Sequence, residues 1–345
     1  MHRICSTLVK HGFNVLLVGR TRGLQLPIPE VTYQRHWLNC FFNQGPLFYL
    51  EFNLRLFCYL CIKPVDVICA IDADTLAACT LAAGIRKKKL VFDAHEYFTE
   101  VPELEHKPMV KKIWQRILQL CVQHVDAAYT VGPILADLFT QQYGKNFEVV
   151  YNMPQPIVFD KRTTQKQPIL IYQGDLNIGR GLEETIEAIT NMDVMFWIIG
   201  DGPIYEALQQ QILKSNMADK VKLIGKVLPK DLPAYTEQAF VGINLLQGNS
   251  LSYRYSIANK FFDYVQSGVP VICANFPEYQ RLNNEFEVGV LCDTNPEAIR
   301  QALHQLLQNP HLYQKISDNC TRAAKVWNWQ TQELKLVNIY QQLTA

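Results

Sequence analysis

Arg180 stands between Gly179 and Gly181 in YQGDLNIGRGLEET (Tyr172–Thr185), where a short apolar run gives way to a helical pattern. A helix N-terminus offers unpaired backbone N–H groups and a partial positive charge, so it favours an anion. A cation there works against the helix, so Arg180 suits a bound phosphate, the plain alternative being a solvated surface arginine. Gly202, inside GDGP (Gly200–Pro203), suits a tight turn where backbone approaches a nucleotide closely, or an ordinary strand-to-helix connection. In SLSYRYSIANKFFDYVQSGVPVI (Ser250–Ile272), Ala258 and Asn259 lead into a helix that carries Lys260 and Asp263. Lys260 suits a diphosphate and Asp263 the hydroxyls of a ribose. Their ordinary reading is a surface ion pair three residues apart.

The first half of the chain offers other groups. The apolar run KLVFD leads into DAHEYFTEVPE (Asp93–Glu103), which places His95 and Glu96 where a strand ends. A histidine there serves as acid, base or holder of a hydroxyl, or is satisfied locally by backbone. Asp72 and Asp74 form a D-x-D at another strand end, a spacing that suits a metal-bound nucleotide and suits helix capping better. Lys107, Lys111, Lys112 and Arg116 interleave with Ile113, Trp114, Ile117 and Leu118, a pattern for an anionic membrane surface or for a core-facing helix with a basic outer side.

The elements that must position these groups alternate. Strands are expected at 14–18, 31–35, 67–71, 90–93, 127–131 and 148–151, with helices between them at 47–61, 75–83, 110–124 and 134–143. The alternation restarts with strands at 169–172, 194–199, 221–224, 241–245, 269–273 and 288–291. This is the pattern of two doubly wound α/β domains with parallel sheets, in which ligands bind beyond the carboxyl ends of strands. We expect a first domain over 1–155, a polar, proline-bearing linker over 156–167, and a second domain over 168–326. A terminal helix over 327–345 is expected to return to the first domain. The chain opens on a helical pattern, so its first sheet is expected to lack its first strand or to begin upstream.

With 345 residues, 48% of them hydrophobic, the chain builds full cores, which excludes a disordered protein. A formal net charge of +1 offers no field for nucleic acid. Ten cysteines without a signal peptide read as core residues in a reducing, cytoplasmic compartment. Cys58 and Cys61 form a C-x-x-C with no second pair at zinc spacing.

Together these segments resemble the retaining glycosyltransferases of the GT-B fold, in particular the large family-four group. The likeness runs through DAHEYFTEVPE, YNMP (Tyr151–Pro154), YQG, GRGLE, GDGP, YSIANKFFDY, SGVPV and FPE, over essentially the whole chain. It implies two Rossmann-like domains facing a cleft, with the donor on the second and the acceptor on the first. Its implied chemistry is transfer of a hexose-type sugar, with retention and without a metal or cofactor, from a UDP or GDP sugar to a saccharide or lipid-linked hydroxyl. Cell-surface polysaccharide or glycolipid synthesis would use such a step, at the inner face of a membrane. Arg180 stands where the family sets a basic residue against the diphosphate, and Asp263 where it sets the acid that binds the ribose. Ala258, Asn259 and Lys260 would face phosphates and sugar, with Gly174 of YQG also at the donor site, and His95 would contact the transferred sugar, with Glu96 beside it. The aromatic run Trp37–Tyr49, with Phe41, Phe42 and Phe48, would wall the acceptor. Two positions depart from the pattern: Tyr255 replaces the first acid of the usual pair, and Asp175 replaces a basic residue after Gly174. A sugar-nucleotide epimerase, a metal-dependent transferase using Asp72 and Asp74, and a silent nucleotide- or carbohydrate-binding protein are the alternatives.

Overall fold

Short runs of Val, Ile, Leu and Phe, bounded by glycine, proline and polar residues, form the strands of this chain. A computed structural model of the chain describes residues 1–20, 30–156 and 168–344. Of the expected linker, residues 157–167 lie outside the described residues. Two units divide the chain, Met1–Tyr151 with Gln332–Ala345, and Asn152–Thr331.

In the first unit, β1 (Leu16–Arg20) pairs in parallel with β2 (Gln34–Leu38). A second parallel set follows the order β3 (Val67–Ile71), β4 (Lys89–Ala94), β5 (Ala127–Thr130) and β6 (Glu148–Val149). Among the described residues no strand joins these two sets. The second strand lies three residues later than its apolar pattern suggests. Pairing decides this: Leu16 opposes Gln34 and Arg20 opposes Leu38. The terminal helix Trp329–Thr344 is anchored at its start by Trp329, whose N–H donates to the Pro154 carbonyl (2.8 Å). From Gln332 onward it belongs to the first unit: Gln332 accepts the Tyr151 N–H (3.3 Å), Glu333 meets Lys10 (3.1 Å) and Tyr340 packs edge-on against Phe13.

The second unit holds one parallel sheet in the order β12-β11-β10-β7-β8-β9. Its strands are β7 (Ile169–Gln173), β8 (Met195–Ile199), β9 (Val221–Gly225), β10 (Val241–Asn244), β11 (Val271–Ala274) and β12 (Gly289–Cys292). β7, β10 and β11 are buried along their whole lengths, as central strands covered on both faces must be. The chain builds outward from β7 through β8 to β9, then returns to β10 and builds the other way. That reversal creates a switch point between β7 and β10, where neighbouring loops part beyond the strand ends. Gly200 closes the turn after β8 at φ +145°, and a β-carbon on it would lie 1.8 Å from the Gly174 carbonyl oxygen. Only glycine lets these two turns cross.

The cysteines are free thiols. Cys5, Cys79, Cys273 and Cys320 are buried, Cys40, Cys61, Cys69, Cys121 and Cys292 are only half-buried, and Cys58 is exposed on the outer side of the Gly45–Ile62 helix.

Candidate functional site

The switch point of the second unit opens into a cavity of about 320 Å³. The end of β7 lends it Tyr172 and Gln173, and the following turn lends Gly174 and Asp175. Arg180 enters from the next turn, and the Asn259–Gln266 helix presents Asn259, Lys260 and Asp263. Five of the expected residues, Gly174, Arg180, Asn259, Lys260 and Asp263, therefore share one cavity. Gly202 and Ala258 do not line it. Gly202 packs against the Leu176 backbone, where a β-carbon would come within 2.3 Å of a carbonyl oxygen. Ala258 is the N-cap of the Asn259–Gln266 helix, and its own N–H donates to the Tyr279 hydroxyl (3.0 Å).

The cations of this cavity rest on aromatic rings. Lys260 is buried, with its ammonium 3.5 Å from the centre of the Tyr172 ring. Burial holds its pKa well below the ordinary lysine value and nearby Arg180 adds to that, while Asp175 and Asp263 oppose it. The surface-pair reading of Lys260 and Asp263 is thus corrected: the amine is enclosed and the carboxylate has another partner. Arg180 lies 5.0 Å from the Tyr253 ring centre, and its buried Nε has no hydrogen-bond partner among the described residues. The helix after it begins only at Leu182, spans seven residues and carries Glu183 and Glu184 in its first turn. Arg180 consequently stands just before the N-cap Gly181, outside that helix and at the lining of the cavity.

Asp263 is held by a relay that its sequence neighbours do not reveal. Gln173 donates to the Asp263 carboxylate (3.2 Å) and accepts from the Thr236 hydroxyl (2.9 Å), while its N–H donates to Tyr264 (3.1 Å). The sequence signal for Gln173 was present: it is the polar residue ending the apolar run ILIYQ. Tyr172 donates to the Asp175 carbonyl (2.7 Å), which fixes the turn beneath Lys260. A buried lysine beside a half-buried arginine, a helix N-terminus without a capping side chain and a positioned carboxylate suit a phosphorylated ligand that also carries hydroxyls.

A different cluster forms in the first unit, at the carboxyl ends of β3 and β4. Ile71 pairs with Asp93 in register and Asp93 with Tyr129, which brings Asp72, Asp93, His95 and the Tyr129 hydroxyl together. Asp93 is fully buried, accepts from the Tyr129 hydroxyl (2.9 Å) and lies 3.1 Å from His95 Nε2. Burial by itself would lower the His95 pKa; the Asp93 carboxylate outweighs it, and the net shift is upward. Asp72 does not cap its helix. It adopts φ +53° and its carboxylate accepts the His95 backbone N–H (2.8 Å), a strained conformation that local bonding compensates. Burial pushes the Asp72 pKa up to about 7, against the pull of His95, and burial raises Asp74 to about 6. Among the described residues no three His, Cys, Asp or Glu side chains gather as a metal centre. Glu96 is exposed beside the cluster. Of the expected acceptor wall, Phe48 is buried in the core, while Phe41 and Phe42 are exposed.

The family model described as Glycosyl transferases group 1 matches residues 155–324, and the one described as Glycosyltransferase Family 4 matches residues 1–153. An uncharacterized glycosyltransferase of Methanocaldococcus jannaschii, MJ1178, is 21% identical over 186 residues. The match covers 51% of this chain and 51% of that protein, so the chain spans about half the length of that curated relative. Sucrose-phosphate synthase from Thermosynechococcus elongatus superposes with a TM-score of 0.80 at 14% identity, over 99% of this chain and 92% of that one. Anabaena HepE in complex with UDP superposes at 0.73 and 13% identity, over 96% of this chain and 100% of that one. At such identities the likeness is one of fold.

Proposed function

The chain belongs to the glycosyl transferases group 1 family, with two Rossmann-like units of the GT-B fold, and from that premise we propose that it transfers a hexose-type sugar from a nucleoside diphosphate to an acceptor hydroxyl. The second unit binds the donor. Arg180 and Lys260 take the diphosphate with the backbone N–H groups that open the Asn259–Gln266 helix, and Asp263 takes the ribose hydroxyls. The observation that carries this reading is the unpaired Nε of Arg180 in a cavity it shares with buried Lys260. HepE, a neighbour in fold, was solved with UDP, which supports a uridine or related diphosphate as the ligand class.

In the proposed reaction the bond from the anomeric carbon to the diphosphate oxygen breaks, and the acceptor oxygen bonds to that carbon on the same face. The acceptor proton passes to the departing phosphate oxygen, so anomeric configuration is retained without a protein base. Arg180 and Lys260 stabilise the charge that develops on the leaving group, the task a divalent metal performs elsewhere. His95, held by Asp72 and Asp93, orients the transferred sugar. The acceptor is a saccharide or a lipid-linked saccharide of the kind used in surface polysaccharide or glycolipid synthesis.

Calorimetry with UDP, GDP and their sugar conjugates, with and without EDTA, tests the donor site in wild type and Arg180→Ala. Metal-independent binding of one nucleotide, lost in the variant, is the expected result. Failure of all of them to bind would refute the transferase reading. Slow hydrolysis of the bound donor separates an enzyme from a silent binder.

A further inference from the structure

The Gly45–Ile62 helix is apolar on both sides. Phe48, Phe52, Leu56 and Leu60 face the core of the first unit. After Gly45 and Pro46 its exposed positions are Leu47, Leu50, Leu54, Cys58 and Ile62, spaced three or four residues apart along one outer edge. The four large aliphatic side chains among them are between 55% and 78% exposed. The polar residues of the helix do not reach this edge because they are engaged at its flanks. Glu51 accepts the N–H groups of Phe41 and Phe42 and pairs with Arg55 (2.8 Å). Asn53 donates to the Tyr49 and Asp74 carbonyls and accepts the Ala78 N–H. A helix apolar all round is ordinarily enclosed, and a contiguous exposed apolar face marks an interaction surface.

The face is wider than one helix, and cations bound it at both ends. The Asp72–Arg86 helix packs alongside and exposes Leu81 and Ile85. At their carboxyl ends, Lys63 meets the run Arg86-Lys87-Lys88-Lys89, and the Arg86 guanidinium donates to the carbonyls of Leu60 and Lys63. Asp66 and Asp126 offset Lys88 and Lys89. At the other end, Tyr49 packs edge-on against Trp114 (5.1 Å) of the Pro108–Cys121 helix, which exposes Lys112 and Arg116 beside Met109 and Ile113. Residues 75–92 and 106–125 contain no acid, and residues 45–63 contain only Glu51. No described helix is long and apolar enough to cross a membrane.

We propose that this face docks on the surface of a bilayer containing anionic lipids. The leucines and isoleucines enter the boundary between headgroups and acyl chains, and the flanking lysines and arginines meet lipid phosphates. Charge argues for lipid over a second copy of the chain: a self-contact would bring two basic borders together, whereas an anionic surface attracts both ends at once. The attachment holds whatever sugar the protein transfers.

The test is flotation of the full chain with phosphatidylcholine vesicles, with and without about 30 mol% phosphatidylglycerol. Leu50→Glu/Leu54→Glu and Lys63→Glu/Lys87→Glu are compared with wild type. All four side chains are at the surface, and circular dichroism with thermal unfolding checks that both variants fold. Wild type is expected to bind the anionic vesicles at least about ten-fold better than the neutral ones, less so at high salt. The leucine variant is expected to lose at least about ten-fold of this binding, and the lysine variant to lose the preference for anionic lipid. The proposal is overturned if wild type binds neither vesicle, or if the leucine variant binds as wild type does. It is equally overturned if sedimentation velocity shows a vesicle-indifferent dimer that the leucine variant dissociates, which would assign the face to a second copy.

Discussion

Charged side chains serve opposite ends in the two units. In the second, half-buried Arg180 and buried Lys260 lie against the rings of Tyr253 and Tyr172, and among the described residues neither forms an ion pair with a carboxylate. In the first, Asp72 and Asp93 are turned on His95, one on its backbone N–H and the other on its imidazole, so these charges act on a neighbour inside the fold. Both clusters form at carboxyl ends of parallel strands, where loops part and side chains are free to converge. The contrast shows how one architecture yields two arrangements: cations set on aromatic rings with no carboxylate paired to them among the described residues, and carboxylates turned on a protein neighbour.

Five measurements test that contrast, beginning with the largest expected effect. Arg180→Ala is expected to weaken nucleoside diphosphate binding about 100-fold or more, since a buried charge-assisted contact is removed. The same variant should leave the His95 titration where it is, measured by the imidazole carbon-bound proton in NMR; a joint change would erase the distinction between the units. Lys260→Met keeps most of the side-chain volume and is expected to cost about ten-fold in the same affinity, read by calorimetry. Asp93→Asn should lower the His95 pKa, because it removes the carboxylate that favours the imidazolium. An unchanged or higher value in that variant would show that Asp93 does not set the charge of His95. The smallest signal is proton uptake on binding. The buried Lys260 amine sheds its proton more readily than an ordinary lysine, and a bound diphosphate restores it. Calorimetry in two buffers of different ionisation enthalpy should therefore report net proton uptake. Affinity should fall as pH rises through the depressed lysine pKa, and release in place of uptake would contradict the assignment.

Much of this was legible from residue order. Twelve strands lie at or near their expected places, because apolar runs bounded by turn residues are local signals. The cavity residues were legible in part: Arg180, Lys260 and Asp263 stood out through their positions after strands. Gln173 carried a signal, a polar residue ending an apolar run, but such a residue has many uses, and its link to Asp263 spans ninety positions. Asp72 was read as a cap because its position at a helix start is a local fact. The competing partner, the His95 N–H, arrives only when β3 and β4 pair.

The sequence by itself determined the alternation of strands and helices, the two doubly wound halves and the residue types available at each strand end. These follow from hydrophobic period and turn chemistry, which act over a few neighbours. Tertiary structure alone decided that Lys260 is enclosed on a tyrosine ring, that Arg180 precedes its helix, and that the outer edge of the Gly45–Ile62 helix is left apolar. Burial and pairing are properties of what lies across the fold, and no run of adjacent residues encodes them.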